Sequence, residues 1–208
     1  PAPGDITVNG GLYSMATNTF NGFDTTKTIT INAGGTVSAD STSNNAYNIG
    51  PLVLNGGTLT SANGLVGPAN DGGFGNWLFR GVTVGGTTLS TVNATQVAIV
   101  SGSFIVADSV AGSGTDFFIS SKINSGALTK SGSGTLELTA ASTYVGVTSI
   151  NAGTLIAANS SGSATGSADV TVSSGGVLLV NGSIAGSAII NSGGTLGGHL
   201  GTVGGNAN

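Results

Sequence analysis

The acid–base chemistry of this 208-residue chain rests mainly on eight carboxylates, one histidine and four cationic side chains. The carboxylates are Asp5, Asp24, Asp40, Asp71, Asp108, Asp116, Glu137 and Asp169, and no two lie within three residues of each other. A general acid and its partner base need two carboxyl groups held several Å apart. Here only the fold can bring such a pair together. Asp40 and Asp108 are the candidates, since each follows a strand-like run at a similar place in the sequence pattern. Sugar-cleaving sites of that kind also use arginine or lysine, and Arg80, Lys27, Lys122 and Lys130 are the whole supply. The sole histidine, His199, sits in a glycine-rich segment, and no G-x-S-x-G nucleophile turn accompanies it. There is no cysteine, so thiolate metal sites and disulfides are excluded. The residues predict no catalytic, metal or cofactor site, and a polysaccharide-active enzyme is the least favoured reading.

Two further patterns bear on binding. Asp71-Gly72-Gly73-Phe74-Gly75-Asn76 approaches a calcium-binding nonapeptide, but Trp77 stands where that motif needs Asp, and there is no tandem copy. Gly112-Ser113-Gly114 and Gly132-Ser133-Gly134 lack the lysine and helix of a phosphate loop and read as turns. Residues 64–81 read as an insertion that holds the only Trp and the only Arg. Phe74, Trp77, Phe79 and Arg80 are residue types favoured at binding hot spots. They form the candidate contact surface, weighed against a small satellite core folded over the main body.

The elements that would carry these residues are legible in a recurring phrase. It reads Ile31-Asn32-Ala33-Gly34-Gly35-Thr36-Val37, Leu54-Asn55-Gly56-Gly57-Thr58-Leu59, Ile150-Asn151-Ala152-Gly153-Thr154-Leu155 and Ile190-Asn191-Ser192-Gly193-Gly194-Thr195-Leu196. Val172-Ser173-Ser174-Gly175-Gly176-Val177-Leu178 is a degenerate fifth copy. Adjacent copies lie about 18–23 residues apart, a period that belongs to solenoids. Thr28-Ile29-Thr30-Ile31, Thr135-Leu136-Glu137-Leu138 and Asp169-Val170-Thr171-Val172 alternate at period two, as half-buried strands do. No apolar stripe of helical period is sustained. The prediction is an all-β solenoid of about nine coils over residues 28–208, with parallel strands about 4.8 Å apart. Asn32, Asn55, Asn151 and Asn191 would mark equivalent corners, where side-chain amides can stack into a ladder. Residues 1–27, with Tyr13, Met15, Phe20 and Phe23, are expected to form an N-terminal cap or assembly segment, because an open solenoid end must be covered.

Composition narrows the class. Glycine numbers 38 and charged residues only 6%, yet 38% of residues are apolar and mean hydropathy is +0.33. A disordered chain shows the opposite balance, low hydrophobicity with high charge. The net charge of −4 and the lack of a basic stripe argue against nucleic acid as a partner. No uninterrupted apolar run is long enough for a membrane-spanning helix. The start Pro1-Ala2-Pro3-Gly4 lacks Met and a signal peptide, as expected of a processed or excised chain.

A longer segment carries a resemblance. Ala127-Leu128-Thr129-Lys130-Ser131-Gly132-Ser133-Gly134-Thr135-Leu136-Glu137-Leu138-Thr139-Ala140, followed by Tyr144-Val145-Gly146-Val147-Thr148 and Asn151-Ala152-Gly153-Thr154-Leu155, resembles the passenger-associated repeat of bacterial autotransporters. Ala140 and Val147 stand where that repeat usually has Gly. The resemblance implies a right-handed parallel β-helix at the outer surface of, or released from, a Gram-negative cell. Such passengers cross the outer membrane through a β-barrel. No series of barrel-like strands occurs in this sequence, which leaves a passenger fragment or another export route. The expected function is a non-enzymatic extracellular rod that forms or displays a fibre or adhesive layer, with a second copy of the chain as a head-to-tail partner. The alternative is an adhesin module that recognises a glycan or host-surface protein through residues 64–81.

Overall fold

A computed structural model describes residues 4–15, 24–39, 46–61, 76–112 and 114–208. Every named strand in it pairs in parallel with a neighbour one coil away, and the result is a β-solenoid. Two nine-stranded sheets run its length. The first contains Ile6–Val8, Ile29–Asn32, Leu52–Asn55, Val82–Val84, Phe104–Val106, Leu128–Ser131, Thr148–Ile150, Val170–Val172 and Ala188–Ile190. The second begins with Gly11–Met15 and Gly35–Ala39 and ends with Gly176–Val180 and Thr195–Gly197. One strand of each per coil gives the nine coils that the repeat predicts. A third sheet of four strands, Ala46–Asn48, Asn76–Phe79, Gln96–Ile99 and Lys122–Ser125, closes the other side of the earlier coils.

Period-two alternation becomes rows of identical character. In the second sheet Val37, Leu59, Val92, Ile119, Leu138, Ala157 and Val180 fall on successive rungs and all are buried. Each row hands its apolar surface to the row above and below, so burial accumulates along the axis instead of around a centre. The corner between the sheets is tight enough to demand glycine. At Gly56 φ is +83°, and a Cβ on Gly57 would lie 2.6 Å from the Ile31 carbonyl oxygen.

Two boundaries move. Ile6–Val8 and Gly11–Met15 pair in register with Ile29–Ile31 and Gly35–Ala39, so residues 6–15 of the expected cap or assembly segment add a rung to each long sheet. The phrase was already present there, as Val8-Asn9-Gly10-Gly11-Leu12. Phe20 and Phe23, the rest of that expected segment, lie outside the described residues. At the other place, Asn76–Phe79 is a full member of the third sheet, paired with Ala46–Asn48 and Gln96–Ile99. The end of the expected 64–81 insertion is therefore part of the solenoid wall.

Candidate functional site

The amide ladder exists, over three coils. Asn32 Nδ2 donates to Asn9 Oδ1 at 2.7 Å, and Asn55 Nδ2 donates to Asn32 Oδ1 at 2.9 Å. Strand register explains where it stops. The residue after Val84 is Gly85, on the rung above Asn55, and it carries no amide. Asn151 and Asn191 share a column, but Ser173 stands between them, two rungs of separation that no amide spans. Both are exposed, and their backbone N–H groups donate to Lys130 and Val172 carbonyls. Replacing Asn32 by Ala removes two amide bonds and should lower stability by about 1 kcal/mol, read as a shift in the thermal midpoint.

The aromatic candidates occupy the interior. Trp77 and Phe79 are fully buried. Trp77 Nε1 donates to the Thr60 carbonyl at 3.0 Å, and its ring packs on Tyr47 with centroids 4.9 Å apart. Tyr47 in turn donates its hydroxyl to the Met15 carbonyl at 2.7 Å. Phe79, Phe104 and Phe117 continue at 6.1 and 6.0 Å, one ring from each of the three sheets. This corrects the contact-surface expectation for both residues: their alternation along a strand points them inward, where a partner cannot reach. Arg80 is half-buried and donates to Asn48 Oδ1 and the Ile49 carbonyl. Phe74 lies outside the described residues, as do Asp40 and Asp71.

The carboxylates scatter. Asp108 and Asp169 are exposed, and Asp169 accepts from the Ser187 backbone N–H. His199 is exposed, with its backbone N–H on Asn181 Oδ1. Among the described residues no three acids or histidines converge. Among the described carboxylates only Asp116 is buried, and with it the structure holds an electrostatic centre that the sequence did not single out.

That centre joins Asp116 to Lys130. Asp116 Oδ1 accepts the backbone N–H groups of Ser109 and Val110, each at 2.9 Å, and Oδ2 accepts that of Thr135 at 2.8 Å. Burial pushes its pKa up, but the three N–H donors and the Lys130 charge more than reverse this, holding it below the usual carboxylate value. Because the folded pKa is depressed, this stabilisation is complete above the unfolded value and is lost as pH falls through the folded one. An Asp116→Ala variant should therefore flatten the acid limb of a stability–pH curve. Lys130 is fully buried, and its ammonium donates to the carbonyls of Ser131, Gly132 and Ala152 at 3.0, 2.8 and 3.0 Å. Burial lowers its pKa to about 8 against the opposing pull of Asp116. An ammonium has three donors, and here each finds a carbonyl. Leu128 is inward, so Lys130, two residues on, had to be inward too; that was the available signal.

Other interior polar groups follow the same logic. Asn159 reaches the Ser161 and Gly162 carbonyls with Nδ2 and accepts the Ser183 N–H at Oδ1. The Tyr144 hydroxyl shares a 2.7 Å bond with Thr148, and burial drives its pKa upward. Asn159 fastens backbone, and Tyr144 bonds a neighbouring side chain.

Comparison with known proteins agrees with this geometry. Residues 128–157 match the passenger-associated-transport-repeat family. The chain is 33% identical over 186 residues to the adhesin BmaC autotransporter of Brucella suis, an alignment covering 85% of this chain and 5% of that protein. The chain thus spans about 5% of the length of that relative. No solved structure matches it. Lys130, Gly132, Gly134 and Gly153, which build the buried centre and its turns, all lie inside the matched segment, and the solenoid carries at 128–157 an autotransporter passenger repeat.

Proposed function

We propose that this chain is a non-enzymatic, extracellular structural segment of an adhesin-type passenger, a rod exposed at the outer surface of a Gram-negative bacterium. The supporting observation is the parallel stack of the two long sheets with a passenger repeat set inside it. Asp116, Lys130 and Asn159 serve backbone hydrogen bonds inside it, and rows of apolar residues line its coils. Such a body extends distance and resists unfolding; its outer sheet faces and corners are what it offers to other molecules. The partners taken in this reading are a second copy of the chain, stacked end to end in a fibre, and a host-surface glycan or protein. Head-to-tail contacts that do not close on themselves give filaments.

Display of the chain on a non-adhesive bacterium tests the role. Intact cells should gain attachment to host-cell monolayers, and protease treatment of those cells should abolish it. Attachment equal to the undisplayed control overturns the adhesive role. Sedimentation of the purified chain over a range of concentrations tests the fibre: growing species support end-to-end stacking, and a constant monomer rules it out.

A further inference from the structure

The first sheet contains a dislocation. Through the early coils its inward residues form two aligned rows, Ile29, Leu52, Val82 and Phe104 in one, and Ile31, Leu54, Val84 and Val106 in the other. At the next rung Phe104 faces Lys130, which faces Ile150 and then Val172. The row ending in Val106 has no strand residue above it. The turn at Gly132–Gly134 takes that place, with Gly134 N–H on the Val106 carbonyl at 2.9 Å. Gly132 has φ of +78°, and a Cβ there would sit 2.3 Å from the same oxygen. On the opposite side a new row starts, Leu128, Thr148, Val170 and Ala188. The third sheet ends at the same level, with Lys122–Ser125. The solenoid therefore changes cross-section at one place, by a slip of the paired stretch two residues along the first sheet with the register kept.

Where the paired stretch moves along the sheet, the residues beyond its new ends have no strand partners, and a buried unpaired group costs about 1–3 kcal/mol. Asp116 and Lys130 sit there. The carboxylate collects the three loose donors, two from before the slip (Ser109, Val110) and one from after it (Thr135). The ammonium serves three carbonyls, all after it (Ser131, Gly132, Ala152). Their charges offset each other in the interior.

We infer that the chain is two cooperative solenoid units, residues 4–125 and 128–208, joined at this slip, with Asp116 as the fastener that couples them and Lys130 as the internal anchor of the second unit. The inference uses only stacking and bonding, and stands whether or not the rod proves adhesive. A uniform solenoid would lose protection smoothly towards its ends, each rung being coupled to its neighbours.

Native-state hydrogen exchange on the full chain decides it. Expected is a break between the strands Phe104–Val106 and Leu128–Ser131, with opening constants about tenfold or more apart on the two sides. Asp116→Asn removes the negative charge and one of the two acceptor oxygens, and should widen the break by lowering protection on one side more than the other. Lys130→Met should lower protection from residue 128 onward while sparing Ile29–Asn32 and Leu52–Asn55. A smooth gradient across residues 104–131 in the unaltered chain overturns the proposal, even if neither variant folds. So does an Asp116→Asn variant that loses protection equally on both sides.

Discussion

Replacing Trp77 by Ala is expected to destabilise the chain by about 3–5 kcal/mol, the cost of emptying a fully packed aromatic site. The indole is the largest side chain inside the solenoid, and its loss also strands the Thr60 carbonyl and removes the face on which Tyr47 packs. Denaturant unfolding followed by circular dichroism gives the measurement. A loss below 1 kcal/mol would show that the surroundings collapse into the space or that the ring is not buried. Any fall in adhesion by this variant should track the unfolded fraction, and vanish at a temperature low enough to keep it folded. A direct binding role for Trp77 predicts the reverse, lost adhesion with unchanged stability.

The second large effect is expected at Lys130. Methionine keeps the apolar stem but leaves the Ser131, Gly132 and Ala152 carbonyls without donors and Asp116 without its opposite charge. A buried acceptor left without its donor costs about 1–3 kcal/mol, and three are left here. Removal of both charges in Lys130→Met/Asp116→Asn should cost less than the two single losses added together, since neither charge is then left alone. Strict additivity would show that the two groups act independently. The unaltered chain has a related pH signature. The folded-state pKa near 8 lies below the ordinary 10.5, so unfolding takes up a proton between these values. In that window stability should rise with pH, by no more than about 3 kcal/mol in all, and Lys130→Met should abolish the slope.

The solenoid was legible because its information is local and repeated. Asn-x-Gly-Gly-Thr states a corner, and alternation on either side states two strands. Asn9 is legible by the same phrase, Val8-Asn9-Gly10-Gly11-Leu12. Trp77 and Phe79 have the composition of a binding hot spot, but their spacing is that of two inward residues on one strand. The limits of the amide ladder were not legible: whether Asn151 meets another Asn depends on which residue the register sets on the next rung. Asp116 and Lys130 are the deepest case. The inward place of Lys130 is legible from its spacing to Leu128, but its partnership with Asp116 depends on how the coils stack, which no short motif announces.

The uneven lengths of the coils have a consequence for how such a molecule changes over generations. The path from Leu52 to its partner Val82 is much longer than that from Val170 to its partner Ala188, yet both pairs sit in equivalent register. The extra length falls between Thr58–Ser61 of the second sheet and Asn76–Phe79 of the third. Length added there need not disturb either long sheet. Peptides grafted between Ser61 and Asn76 are therefore expected to leave the two long sheets paired as they are, so that coil length and sheet register can vary independently.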